Sequence, residues 1–77
     1  MTLNEAVAER ILQLMQESRM TPIELARASK VSAIRIYALT KKKDGGPLLV
    51  TILGLCRGFC ISLRDFFDCA VFDEFLK

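Results

Sequence analysis

Leu3, Val7, Ile11 and Leu14, with Ser18 in the same register, recur at intervals of three and four. That is the spacing of one helix face, and it predicts an amphipathic helix over about residues 3–18. Leu25, Ala26 and Ser29 mark the inward side of a second helix, over about 22–29, and Ile36 and Leu39 that of a third, over about 33–41. After Pro47, the residues Leu49, Ile52, Leu53 and Cys56 line a fourth helix, expected to fray near Gly58. Leu63, Phe66 and Phe67 supply a fifth, over about 63–68. The tail Val71, Phe72, Phe75 and Leu76 keeps helical spacing but has little left to pack against. No segment alternates cleanly with period two, so the expectation is an all-α fold of five short helices.

Polar residues punctuate this pattern. Thr21 can cap the second helix, with Pro22 at its first position and Glu24 completing a capping box. Met20 before the cap and Leu25 after it form a hydrophobic staple. Ser32 repeats the arrangement with Val31 and Ile36, and Ser62 repeats it with Ile61 and Phe66, where Asp65 suits the helix N-terminus. Thr2 with Glu5 is a weaker fourth start. Gly45-Gly46-Pro47 is the one strong breaker cluster and divides the chain into two helical halves.

Only Lys30 and Val31 separate the second helix from the Ser32 cap. So short a connection forces a steep crossing, the helix-turn-helix geometry. At about 100° per residue, Ile36 and Leu39 turn inward. Ile34, Tyr37, Ala38 and Lys41 project to the opposite side, with Ala33 and Arg35 on the flanks. An outward isoleucine and tyrosine beside cations suit a DNA major groove, where side chains meet base edges and thymine methyls.

Charge strengthens that picture. The net charge of +2 hides a basic centre. Over residues 19–43, Arg19, Arg27, Lys30, Arg35, Lys41, Lys42 and Lys43 face Glu24 alone, a net +6, while the segments on either side each carry −2. A basic middle between acidic flanks reads as a surface for a polyanion.

The run from Met20 to Leu39, Met-Thr-Pro-Ile-Glu-Leu-Ala-Arg-Ala-Ser-Lys-Val-Ser-Ala-Ile-Arg-Ile-Tyr-Ala-Leu, resembles the helix-turn-helix of Cro and phage-repressor type regulators, the XRE family. Leu25-Ala26, Val31-Ser32, Ile36 and Leu39 fall on its core and cap positions. Ile52, Leu55-Cys56 and Ile61 to Phe67 resemble its fourth and fifth helices, and the ending is similar to that of short single-domain bacterial members. The likeness covers about residues 8–73. It implies a lambda-repressor-like domain of five helices, with base-reading positions at Ala33, Ile34 and Ala38. It implies phosphate contacts at Thr21, Pro22, Arg35 and the Lys41, Lys42, Lys43 loop. This chain departs from the family pattern at Pro22, where Gln is usual, and at Lys30 and Cys60, where glycines are usual. Thr40 stands where Glu is common, and Lys42 where Gly is common.

The expected molecule is therefore one DNA-binding domain over residues 1–77, a transcriptional repressor that reads double-stranded DNA by sequence or shape. Ser32, Ala33, Ile34, Arg35, Tyr37, Ala38 and Lys41 form the recognition set. Thr21, Pro22, Lys30, Lys42 and Lys43 form the phosphate set. A homodimer on two half-sites is expected, its surface drawn from Phe67, Val71, Phe72, Phe75 and Leu76 in or beside the tail 69–77. The alternative is a protein-interaction module or antitoxin that keeps the same frame but uses its oily face on a protein partner.

Other classes find little support. Seventy-seven residues leave scant room for an enzyme cleft, and no histidine is present to act as base or ligand. No nucleotide-binding or nucleophile motif occurs, so neither enzyme activity nor a cofactor is expected. Cys56, Cys60 and Cys69, odd in number, read as buried small hydrophobes and not as a disulfide framework or zinc site. The longest uncharged stretch, 45–56, is too short for a membrane helix, and the start lacks a secretory signal pattern, so a cytoplasmic protein without a membrane partner is expected.

Overall fold

A computed structural model describes residues 1–41 and 46–76. Five helices follow in order: α1 (Leu3–Ser18), α2 (Pro22–Ser29), α3 (Ala33–Thr40), α4 (Leu49–Phe59) and α5 (Leu63–Phe67), with a 3₁₀ turn over Ala70–Phe72. The described residues contain no strand. Four of the five helices begin where a hydroxyl can accept a backbone N–H of the first turn. Thr2 caps α1 and Thr21 caps α2, each in a reciprocal box with the glutamate three residues on. Ser32 caps α3 and Ser62 caps α5. Only α4 starts without a side-chain cap, at Leu48.

Three helices end in a left-handed residue that is not glycine: Arg19 (φ 57°), Lys30 (φ 61°) and Cys60 (φ 60°). Each places a Cβ against the following carbonyl, at a cost of about 1 kcal/mol. The departures at Lys30 and Cys60 thus lie where the backbone favours the residue they replace.

Ile11, Leu25, Ile36, Leu55, Phe66 and Phe72 are fully buried and form the centre of the core. Val7, Leu14, Leu39, Ile52 and Cys56 complete it from the expected faces. Burial raises the Cys56 thiol above its ordinary range, and the nearby Arg10 charge offsets this in part.

Four expectations need correction. First, α3 stops at Thr40, and Lys41 follows as its cap. Second, α4 does not fray at Gly58 but runs to Phe59, because the missing side chain is what lets α2 approach. A Cβ on Gly58 would lie 2.9 Å from Ser29 Cβ, and one on Gly54 would lie 3.2 Å from Val31 Cγ2. Third, Leu49 is 58% exposed and lines nothing, since Ile52, Leu55 and Cys56 carry the buried face one turn on.

Fourth, Phe72 is not partner surface. It is 0% exposed, its ring 4.9 Å from that of Phe67 and 6.0 Å from that of Phe66. The 3₁₀ turn folds it back beneath α1 and α5, and a side chain buried within its own chain is not available to a second copy. Phe67 and Val71 are half-buried, packed against the core, while Phe75 and Leu76 remain exposed.

Arg10 is a buried side chain that the charge pattern does not suggest. Its Nε donates to the Phe66 carbonyl, one terminal nitrogen to the Asp65 carbonyl and the other to Gln13 Oε1, each at 2.7 Å. One guanidinium therefore clasps α1 to the backbone of α5. Arg10 stands three residues after Val7 and four before Leu14, inside the apolar stripe of α1, and that register is the signal for its burial.

Candidate nucleic-acid interface

The geometry of the α2–α3 unit starts from Ser29. Its hydroxyl donates to the Leu25 carbonyl at 2.6 Å and accepts the Val31 N–H at 3.2 Å, closing the end of α2 and starting the turn. Lys30 takes the left-handed bend and donates its N–H to the Ala26 carbonyl at 2.9 Å. Val31 then drops against Gly54 of α4, and Ser32 opens α3 by accepting the Arg35 N–H at 3.2 Å. The Gly54-Gly58 pair, four residues apart on one helix face, supports the turn from below. That spacing is a sequence signal of close helix approach, and it marks the second supporting element that sequence reasoning left out.

On α3, Ile36 and Leu39 are buried and fix the rotation of the helix. Ile34 is consequently 83% exposed and Tyr37 44%. Ser32 and Lys41 are exposed as well, and Ala33, Arg35 and Ala38 are half-buried at the margins. Lys41 Nζ sits 5.5 Å from the centre of the Tyr37 ring, so the cation and the aromatic face are held together. The recognition set thus shares one element, with Ile34, Tyr37 and Lys41 outward and the alanines beside them.

At the start of α2, Thr21 is exposed and Pro22 half-buried. Thr21 Oγ1 accepts the Glu24 N–H at 3.1 Å, and Glu24 Oε1 accepts the Thr21 N–H at 2.9 Å. Leu25 donates to the Thr21 carbonyl, and Pro22 has no N–H to offer. First-turn donors are therefore largely consumed by the helix itself. The Thr21 backbone and side-chain hydrogen bonds hold the Glu24 carboxyl below its ordinary range, with Arg27 adding to the effect. Lys30 is exposed at the turn, and Lys42 and Lys43 lie outside the described residues.

Elsewhere the chemistry is sparse. Of the three cysteines read as buried small hydrophobes only Cys56 is buried; Cys60, the left-handed cap of α4, is exposed, and Cys69 is half-buried with its thiol 3.3 Å from Gln13 Oε1. Among the described residues no cluster of three or more metal-binding side chains occurs, and no helix is long and apolar enough to cross a membrane.

The model of the Cro/C1-type HTH DNA-binding domain family matches residues 10–70, which span α2, α3, α4 and α5 and most of α1. The chain belongs to that family. No curated protein and no solved structure matches it. A Cro/C1-type domain is a DNA-binding module of transcription regulators, and DNA is its partner. The five-helix arrangement around α2 and α3 is consistent with a Cro/C1-type HTH domain.

Proposed function

We propose that this Cro/C1-type domain is a transcriptional repressor acting as a homodimer, with α3 in the major groove of each of two half-sites about one DNA turn apart. Ser32, Ala33, Ile34, Arg35, Tyr37, Ala38 and Lys41 face the bases and their flanking phosphates. Thr21, Pro22, Lys30, Lys42 and Lys43 form the phosphate-contacting set. The observation that carries this proposal is the outward face of α3, where Ile34 and Tyr37 stand exposed with Lys41 on the ring. With α2 offering few free donors, most of the affinity comes from phosphate neutralisation by cations. At about three to five phosphate contacts per subunit, a dimer's log affinity falls with log salt at a slope of roughly −5 to −9. A fluorescence-anisotropy titration across salt tests this, and binding indifferent to salt would refute it.

For the dimer, Phe75 and Leu76 supply exposed apolar surface, beside a groove of about 580 Å³ lined by Leu63, Arg64, Phe67, Asp68 and Leu76. Because Phe72 is core, deleting the tail after Asp68 would unsettle the fold, and surface changes are the cleaner test. Phe75→Ser with Leu76→Ser should give a folded monomer with weaker DNA binding by sedimentation and gel shift; an undisturbed dimer sinks the assignment.

The second reading, a module or antitoxin with a protein partner, draws on Leu48, Leu49 and Val50, three exposed apolar residues in succession at the start of α4. A gel shift against the gene's own upstream DNA, set beside a pull-down of soluble partners, separates the two. A cytoplasmic location accords with either role.

A further inference from the structure

The side chains of α3 leave few ways to tell one base pair from another. Between Ser32 and Lys41 the chain has no Asn, Gln, Asp, Glu or His. Paired amide hydrogen bonds to adenine, and carboxylate acceptance from cytosine, are therefore not open to this helix. Its two small hydroxyls serve the helix itself: Ser32 accepts the Arg35 N–H at 3.2 Å, and Thr40 donates to the Tyr37 carbonyl at 3.1 Å. The Lys41 ammonium is drawn back over the Tyr37 ring. What stands furthest out is Ile34, the most exposed large apolar side chain among the described residues, with the methyls of Ala33 and Ala38 at its margins.

A base-pair edge in the major groove offers one apolar feature, the C5 methyl of thymine. A C5-methylated cytosine presents the same group at the equivalent ring position. Resting on the DNA-docked α3 proposed above, we infer that Ile34 is a specificity-determining contact for pyrimidine C5-methyl groups in the major groove, with Ala33 and Ala38 completing its apolar seat. The chain thus tells targets apart chiefly by where their methyls lie; Arg35 and Lys41 are the cations of this segment able to read guanine, and the cations outside it supply affinity that is blind to sequence.

The test compares alternating duplexes that differ in this methyl: poly(dA-dT) with poly(dA-dU), and poly(dG-dC) with its C5-methylated-cytosine form. Binding of the full chain is measured at one fixed salt and again across a salt series. One methyl contacted is worth about fourfold in affinity, and one contact per subunit gives a dimer about fifteenfold. The expected result is tighter binding to dT than to dU by that margin. Ile34→Ser should abolish the difference while keeping the salt slope and the helical circular dichroism, because Ile34 is not part of the core. A gain on methylated cytosine as well assigns the contact to the methyl in either base; a gain on thymine alone restricts it to that base.

Equal affinity for dT and dU, with steep salt dependence intact, overturns the inference and leaves DNA binding standing. A dT preference that survives Ile34→Ser places its origin in the duplex and overturns it too. Failure to bind any of the four duplexes removes the underlying DNA reading together with it.

Discussion

Ile34 and Phe72 are both large apolar side chains, yet one is the most solvent-open large apolar residue described and the other has no exposed surface. Each sits on a short helical segment with helical spacing around it. What separates them is the company of their neighbours. In α3, Ile36 and Leu39 already occupy the inward side and leave Ile34 no route to the core. In the tail, Phe66 and Phe67 build an aromatic floor whose rings meet at 5.1 Å and 77°, and the 3₁₀ turn lowers Phe72 onto it. An apolar residue is thus surface or core according to which inward positions remain unfilled around it.

The sharpest way to break this contrast is Phe72→Ala. Emptying a fully buried aromatic site costs about 3–5 kcal/mol, a large share of the stability of a domain this size, and chemical denaturation should show it. Loss under about 1 kcal/mol would return Phe72 to the surface. Next in size is Arg10→Ala, expected to cost about 2–4 kcal/mol because two backbone carbonyls lose a charged donor. Arg10→Lys should rescue little of this, as an ammonium cannot reproduce the planar fork.

Gly58→Ala should cost about 1–3 kcal/mol, the range for overpacking, since the added methyl meets Ser29. Its effect on DNA binding should exceed what stability alone explains, because Ser29 sets the turn into α3. Equal losses in both would separate the turn from the interface.

The smallest effect concerns Glu24. Its carboxyl titrates below the ordinary range in the folded chain, so its contribution is present above the unfolded pKa and is lost as pH falls through the lowered folded value. Melting temperature should decline across that acidic window, and Glu24→Gln should flatten this part of the decline. An unchanged profile would remove the carboxylate's role in the cap.

Legibility in the sequence followed the range of the interactions. Caps at Thr2, Thr21, Ser32 and Ser62 act over three residues, and all four were readable. The faces of α1 and α3 followed from local spacing. What escaped depends on distant partners. Phe72 is buried by rings folded over it, Gly58 is compact because Ser29 approaches from another helix, and Arg10 reaches carbonyls more than fifty residues away. For the interface, the outward side of α3 was legible because Ile36 and Leu39 fix it. The shortage of free donors at α2 was legible too, since Thr21, Pro22 and Glu24 lie within four residues and the capping box consumes the groups.

The guanidinium of Arg10 grips main-chain oxygens, which every amino acid supplies. Replacements at positions 65 and 66 therefore cannot delete the acceptors, whereas almost any replacement at position 10 deletes the donor. The clasp is asymmetric, indifferent to side-chain drift on one side and intolerant of it on the other, so variants that keep this fold should hold arginine in place while the exposed position 65 drifts and position 66 answers only to the core.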